Sequence, residues 1–381
     1  MRRVPIGLAV AAHTIVDTAQ NILPVVLPLL MDRLQLTYTQ IGAAAALLNI
    51  SSSLIQPGFG WVSDRWSTRW FMPVGIAWTG VLMGSVGYVP NYAALLLVIF
   101  LTGIGTAAFH PVASITVGEA SGARRGLGMS LFSAGGNLGF ALGPVMAAWL
   151  VAQFGLTGTA WVVLPCLVMT GGMLVAWREF RALPSLAREA TGEGKGPIPW
   201  GGLATLCGAI TLRSWGYSGL VIFIPLWLRE GGMALSGAGW ALFAFLFCGA
   251  LGGMIGGHLS DRVGRHAIIM WSLLAFPALM SAALSNSGWV QMAALMAAGG
   301  SLMASFSVTV VLAQEMLPGH VGLASGLTLG LAFGAGGMGV GISGIIADWV
   351  GLNTAMWMLM GLPGLAGLLA MWLPDNQRAV E

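Results

Sequence analysis

The chain has 381 residues, of which 57% are hydrophobic and 8% are charged. Soluble domains are about 45–50% apolar and about 25% charged, so this composition excludes a water-soluble globular protein and predicts lipid contact over most of the outer surface. The formal net charge of +3 does not indicate nucleic acid as a partner, because the basic residues lie in short connectors between apolar runs, where they orient a membrane protein.

Twelve apolar runs, each bounded by Gly, Pro or charge, follow one another along the chain. Each run is long enough to cross a hydrocarbon core of about 30 Å, and the need to close every backbone hydrogen bond in lipid favours helices. The first run follows Arg2 and Arg3 without a small-residue cleavage site, so we interpret it as a retained span. The sequence predicts an all-α membrane protein with twelve transmembrane helices, at 5–31, 40–63, 71–88, 93–118, 126–152, 158–177, 200–228, 237–260, 267–285, 289–314, 321–347 and 353–373.

The longest polar stretch divides the chain into two halves. Residues 179–199 predict a cytoplasmic linker between a six-helix half at 1–178 and a second at 200–381. Matching residues recur at a nearly constant offset, since Asp64 and Asp261 are 197 positions apart and Glu119 and Glu315 are 196 apart. Two parallel six-helix repeats predict a binding site between the halves, near the middle of the membrane.

Lys and Arg are distributed unevenly between the two sides of the predicted helices. With the N-terminus inside, the inner segments hold 13 of the 16 basic residues. This bias predicts that both termini lie in the cytoplasm.

The sequence contains no pattern typical of a cofactor or metal site. Its three cysteines lie inside apolar runs at no metal-ligand spacing, and Gly135-Gly136 is not followed by the Gly-Lys-Ser/Thr of a phosphate loop. We therefore expect no cofactor and no bound metal. Without a nucleotide-binding segment, ATP-driven transport is disfavoured, and we expect a proton gradient as the energy source. Each chain carries a complete transport pathway, which predicts a functional monomer. Its expected partners are a small-molecule substrate, protons and the lipid bilayer.

The stretch Gly-His-Leu-Ser-Asp-Arg-Val-Gly-Arg at 257–265, with a weaker copy at 60–69, resembles the cytoplasmic loop signature of the major facilitator superfamily. The segments at 103–111 and 130–144, with Gln56-Pro57, are similar to the fosmidomycin-resistance branch of drug exporters in that superfamily. The resemblance implies a transporter that works by alternating access. The Gly139-x-x-x-Gly143-Pro144 element also resembles the superfamily's antiporter signature, which favours export.

The charged loop residues are candidates for a cytoplasmic gate. In the family, such residues form a latch between the halves, which the resemblance implies here for the aspartates and arginines; the alternative is that these charges only orient the loops. The two glutamates end spans 4 and 10, where they can pair with loop arginines. The candidate gate residues are Asp64, Arg65, Arg69, Asp261, Arg262, Arg265, Glu119 and Glu315.

Span 1 carries a polar stripe on one helical face, formed by His13, Asp17, Gln20 and Asn21. Ionisable groups at this depth are costly in lipid and mark functional sites. Arg213 lies at an offset of 196 from Asp17, near the middle of span 7. We hypothesise that the two meet across the cavity, directly or through substrate and water, where Arg213 binds an anionic group and Asp17 carries a proton; the alternative is a static ion pair.

Four further residues of the same cavity are predicted from their position. Trp215 and Tyr217 flank Arg213, and Asn137 is a candidate polar contact to substrate or a neighbouring helix. His110 stands before Pro111 in span 4. A histidine there either relays protons or fills the gap in backbone bonding that proline leaves, and the sequence leaves both open.

The sequence leaves three classes of function to compare. The favoured one is a proton-coupled exporter of a drug-like or small anionic compound resembling fosmidomycin. The second is a proton-coupled uptake symporter for an organic anion or metabolite, which would use the same charged residues. An intramembrane enzyme or sensor is disfavoured, because the sequence contains no paired catalytic groups, histidine-rich metal cluster or soluble signalling domain.

Overall fold

The structure, a computed structural model, describes residues 2–66, 68–183, 199–317 and 321–373. Within these ranges the chain is helical, with short turns between the helices. The helices are α1 Arg3–Gln20, α2 Leu23–Leu34, α3 Tyr38–Leu54, α4 Gln56–Arg65, α5 Phe71–Ser85, α6 Tyr92–Ser121, α7 Arg125–Phe154, α8 Val163–Val175, α9 Trp177–Arg181, α10 Trp200–Glu230, α11 Leu235–Val263, α12 Arg265–Ser285, α13 Gly288–Ala304, α14 Phe306–Met316, α15 Val321–Val350 and α16 Leu352–Ala370.

Among the described residues, eleven helical stretches are long and apolar enough to cross a membrane. They coincide with eleven of the twelve predicted spans, and the predicted all-α membrane fold is confirmed. The remaining predicted span, 40–63, is present as two consecutive helices, α3 and α4, each of which is too short to cross a membrane by itself.

Three of the predicted spans are interrupted rather than continuous. Span 1 breaks at Asn21 and Ile22, because Pro24 opens α2 and proline is suited to a helix start. Span 2 breaks at Ile55, where Pro57 lies in the first turn of α4. Span 10 breaks at Ser305, between α13 and α14.

Side-chain caps and glycines fix where several helices begin and end. The hydroxyl of Thr37 accepts a hydrogen bond from the Gln40 amide, and the Gln40 side chain accepts one from the Thr37 amide, which forms a capping box before α3. The side chain of Asn91 caps α6 by accepting a bond from the Ala94 amide. Gly264 separates α11 from α12 at a φ of 96°, a conformation that side chains disfavour.

The helices form two compact units. In the first, Met1–Arg188 with Leu228–Phe243, α1 is packed against α5, α6 and α7. In the second, Glu189–Trp227 with Ala244–Glu381, α12 is packed against α13 and α16. Of the predicted linker, residues 184–198 lie outside the described part of the chain.

Candidate functional site

Asp17 lies in the last turn of α1, at the interruption of the first span. The backbone and side-chain amides of Asn21 both donate to the Asp17 carbonyl oxygen, at 2.9 and 3.0 Å. The carbonyl end of a helix carries a partial negative charge, which favours cations and disfavours a carboxylate. The Asp17 side chain is 5% exposed, so it needs positive or proton-donating partners.

Two histidines supply those partners. His13 Nε2 lies 3.2 Å from Asp17 Oδ2, and His110 Nε2, from α6, lies 3.4 Å from Asp17 Oδ1. We call these three residues the triad. The structure thus brings His13, Asp17 and His110 of the predicted site together, and all three belong to the first unit.

The hydrogen bonds of His13 determine what can lie between its ring and the carboxylate. Its Nδ1 is 2.8 Å from the Phe132 carbonyl oxygen, which can only accept, so Nδ1 carries hydrogen. In a neutral ring the lone pair of Nε2 then points toward the Asp17 oxygen. Two facing acceptors repel each other, and therefore this arrangement favours a proton or another cation between them.

Aromatic residues hold the triad in place. The His13 ring is stacked on Phe132 with centroids 4.0 Å apart. The His110 ring contacts the His13 ring edge-on, with centroids 5.0 Å apart. Phe109 is fully buried beside both histidines. These contacts restrict the rotation of the His13 ring.

The glycines of the antiporter-like element allow α7 to lie directly on the triad. A Cβ atom at Gly136 would lie 2.5 Å from His13 Cε1, and one at Gly139 would lie 2.9 Å from Asp17 Cβ. At Gly143 it would lie 2.6 Å from the Asn21 carbonyl carbon. The element was predicted from its resemblance alone; the structure adds that its glycines face α1, and that Gly136 belongs with them.

The other predicted residues around span 1 have different surroundings. The Oε1 atom of Gln20 is buried and has no hydrogen-bond partner among the described residues. Asn137 is exposed on α7, and Pro144 lies inside that helix. The predicted contact of Asn137 with substrate or a neighbouring helix stays a prediction, as does the part assigned to Gln20 in coupling.

Arg213 is the buried cation of the second unit. It is 2% exposed, and its Nη2 donates to the Ser214 hydroxyl at 3.2 Å. The guanidinium lies over the Phe306 ring, 4.9 Å from its centroid. Within the described ranges Nε has no partner, and no described carboxylate of this unit pairs with the side chain, so Arg213 has donor capacity for an anion.

The aromatic neighbours of Arg213 are fixed by their own contacts. Trp215 Nε1 donates to the Ser343 hydroxyl at 2.8 Å, and a Cβ atom at Gly339 would lie 2.3 Å from the indole ring. Tyr217 is stacked on Phe245. A direct contact between Asp17 and Arg213 would join the two units and stays a prediction.

The internal repeat places these two buried charges at equivalent positions. Adding the offset of 196 to Asp17 and His110 gives Arg213 and Phe306, and each pair is in contact within its own unit. One geometry therefore holds an acid beside an imidazole in the first unit and a guanidinium over a phenyl ring in the second. The duplicated scaffold carries opposite charges at these positions.

The predicted cytoplasmic residues form a second pair of equivalent contacts. Arg69 donates to Glu119 at 2.8 Å and to the Phe180 carbonyl at 2.5 Å, and Arg265 donates to Glu315 at 3.3 Å. Both ion pairs join residues 50 positions apart. The predicted pairing of the glutamates with loop arginines is present in the structure.

The remaining loop residues are more exposed. Asp261 pairs with Arg265, and Arg262 is exposed. The side chains of Asp64 and Arg65 lie outside the described part of the chain. The gate assigned to all these residues is a prediction about motion, and it stays one.

One group of described side chains has donors for a metal ion. A ring nitrogen or carboxylate oxygen of each triad residue lies within 4.8 Å of the other two. No metal was expected from the sequence and this group was missed, although the i, i+4 spacing of His13 and Asp17 was a signal. His110 is far away in the sequence, so only the packing of α6 on α1 brings it to them.

Comparison with known proteins agrees with the fold and the repeat. The sequence profile of the Major Facilitator Superfamily matches residues 9–207 and again 206–381. A bacterial homologue of the human lysosomal transporter Spinster, solved in an inward-facing, occupied conformation, superposes with a TM-score of 0.79. The superposition covers 97% of this chain and 96% of that one at 15% identity, which supports the fold alone.

Two relatives align over nearly the whole chain. The fosmidomycin resistance protein of Escherichia coli (strain K12) is 32% identical, and the alignment covers 98% of this chain and 93% of that protein. The uncharacterized MFS-type transporter YfnC of Bacillus subtilis (strain 168) is 35% identical over 97% of this chain and 92% of its own. YfnC and the Spinster homologue are named as transporters and not as enzymes. The chain is therefore a multi-pass membrane transporter that belongs to the Major Facilitator Superfamily.

Proposed function

We propose that this chain is a proton-coupled secondary transporter that exports a drug-like or small anionic compound by alternating access. The observation that carries the proposal is the buried triad, whose geometry favours a proton between His13 Nε2 and Asp17 Oδ2. The site of action would be the bacterial inner membrane, with both termini in the cytoplasm and one chain as the working unit.

The energetics of buried charge favour a proton as the coupling ion. An ionised group in the middle of a membrane costs about 2.5–3.5 kcal/mol on insertion scales. The proton-loaded triad satisfies the carboxylate, whereas the unloaded triad leaves it facing an imidazole lone pair. Loading and unloading thus change the stability of this region enough to bias a conformational equilibrium.

The anionic substrate is proposed from Arg213. A buried guanidinium without a carboxylate partner is costly, and an anion that binds its free Nε removes that cost. Phe306 on one face and the aromatic residues Trp215 and Tyr217 nearby suit a ligand with an apolar body and one anionic group. The name of the fosmidomycin resistance protein gives the first compound to test.

Transport assays with fosmidomycin test this proposal. We expect everted vesicles with an acidic interior to accumulate the compound, and right-side-out vesicles with an acidic exterior to expel it. Asp17→Asn keeps the side-chain shape but cannot release a proton, so it should lose transport driven by the gradient. The exposed acid on α9 gives the matched control, Glu179→Gln, which should transport normally.

Three outcomes would contradict the proposal in different ways. Gradient-driven transport by Asp17→Asn at the rate of the wild type would remove proton coupling from this residue. Accumulation in right-side-out vesicles with an acidic exterior would instead identify an uptake symporter. Binding of the compound without transport in any orientation would exclude both directions.

A further inference from the structure

We propose that the triad is also a binding site for one divalent transition-metal ion of the Zn²⁺ type. Its donors are two imidazole nitrogens and one carboxylate, from His13, Asp17 and His110. This inference goes beyond the proposed function, although it uses the same side chains, because it concerns a second ion that competes with the proton for one position.

The distances are close to those that such an ion requires. Zinc lies about 2.0–2.2 Å from nitrogen and oxygen ligands, which separates two ligands of a tetrahedral site by roughly 3.3 Å. His13 Nε2 lies 3.2 Å from Asp17 Oδ2 and His110 Nε2 lies 3.4 Å from Asp17 Oδ1, so each imidazole is already at this spacing from one of the two carboxylate oxygens. The donors all lie within 4.8 Å of one another, so a small inward turn of the more exposed His110 ring completes the set.

The hydrogen bond made by the other ring nitrogen of His13 is of the kind found in metal-binding histidines. The N–H of the other ring nitrogen in such a histidine donates a hydrogen bond to a carbonyl or carboxylate oxygen, which fixes the tautomer and directs the lone pair at the ion. His13 Nδ1 makes this bond with the Phe132 carbonyl oxygen at 2.8 Å. Stacking on Phe132 holds the ring in the same orientation.

Charge and access also suit a cation. Asp17 lies in the last turn of α1, where the helix dipole favours positive charge. His13 and Asp17 are 11% and 5% exposed, whereas the His110 side chain is 22% exposed. An ion can therefore reach the site past His110, and it would keep one position open to water or an anion.

The donor set defines the class of ion. Mg²⁺ and Ca²⁺ take oxygen ligands almost exclusively, and one carboxylate is too little for them. Two imidazoles with one carboxylate suit zinc, cobalt or nickel. The prediction is one bound ion per chain that excludes the coupling proton, so that the metal inhibits transport.

Metal binding can be measured on the purified protein without substrate or gradient. The protein should carry no histidine tag, and His258, His266 and His320 should be replaced by alanine, so that only the triad histidines remain. We expect one Zn²⁺ per chain by calorimetry, and Co²⁺ absorption bands of four-coordinate geometry that Zn²⁺ abolishes. Mg²⁺ should give no saturable signal. In this background, His13→Ala and His110→Ala should each weaken Zn²⁺ binding at least tenfold.

The outcomes separate this inference from the proposed function. Absence of saturable Zn²⁺ binding, or unchanged affinity in either alanine variant, would overturn the metal site and leave proton coupling untouched. Loss of binding when only the three other histidines are replaced would do the same. If His13→Ala does not fold, the more exposed His110→Ala and the Co²⁺ spectrum decide the matter. Transport assays of coupling are run with a chelator, so their failure is a separate result.

Discussion

Gly136 gives the sharpest test of how α7 supports the triad. In Gly136→Ala, the added Cβ would lie 2.5 and 2.6 Å from Cε1 and Nε2 of His13, and 3.0 Å from Asp17 Oδ2. The His13 ring cannot move away freely, because it is stacked on Phe132 and bonded to the Phe132 carbonyl oxygen. The ring must therefore tilt and lose that hydrogen bond.

The magnitude follows from three opposing effects. Overpacking costs about 1–3 kcal/mol, the lost hydrogen bond about 0.5–1.5 kcal/mol, and the better helix propensity of alanine returns about 1 kcal/mol. We expect Gly136→Ala to lower the free energy of unfolding by about 0.5–3.5 kcal/mol and to impair coupled transport. Gly172→Ala is the matched control, since its Cβ would meet nothing within 4 Å.

The assay is thermal unfolding of both variants in one detergent, followed by transport. Gly136→Ala should unfold at a lower temperature than the wild type, and Gly172→Ala at the same or a higher one. If both variants unfolded at the temperature of the wild type and transported normally, the close approach of α7 to His13 would not affect stability or transport. That result would contradict the prediction.

Two further predictions concern the other charged residues. Arg213→Ala should abolish the rise in unfolding temperature that fosmidomycin produces, because the anion loses its donor, whereas the exposed Arg178→Ala should retain it; retention in both would place the anion elsewhere. Glu119→Ala should destabilise by up to about 3 kcal/mol, because its side chain is 6% exposed and its removal leaves a mostly buried arginine unpaired. Glu315→Ala, at 37% exposure, should cost only about 0–1 kcal/mol. Equal losses of unfolding free energy in the two glutamate variants would contradict the difference in burial.

The sequence was sufficient for the architecture because hydropathy and repeats are local or periodic signals. Runs of apolar residues located the spans, and the offset of 196 linked Asp17 to Arg213 from residue positions alone. The same signals do not report where a helix is interrupted. The break at Ile55 depends on Pro57 in the first turn of α4. The hydropathy of the run at 40–63 does not indicate this break.

The site was predicted less completely, since it depends on packing between distant segments. The polar face of span 1 identified His13 and Asp17, yet the sequence left His110 with two equal interpretations. Its ring nitrogen lies 3.4 Å from Asp17, and this contact exists only because α6 is packed on α1. The role of Gly136 likewise depends on how closely α7 approaches α1, and this distance cannot be predicted from a pattern of residues.

Proton release on substrate binding would show directly whether Asp17 carries the coupling proton. Fosmidomycin would be added to purified, metal-free protein in weakly buffered solution near neutral pH, and the proton released would be measured with an indicator dye. We expect release from the wild type and from Glu179→Gln, and none from Asp17→Asn, although Asp17→Asn still binds the compound. Equal release from Asp17→Asn and the wild type would contradict the assignment of the coupling proton to Asp17.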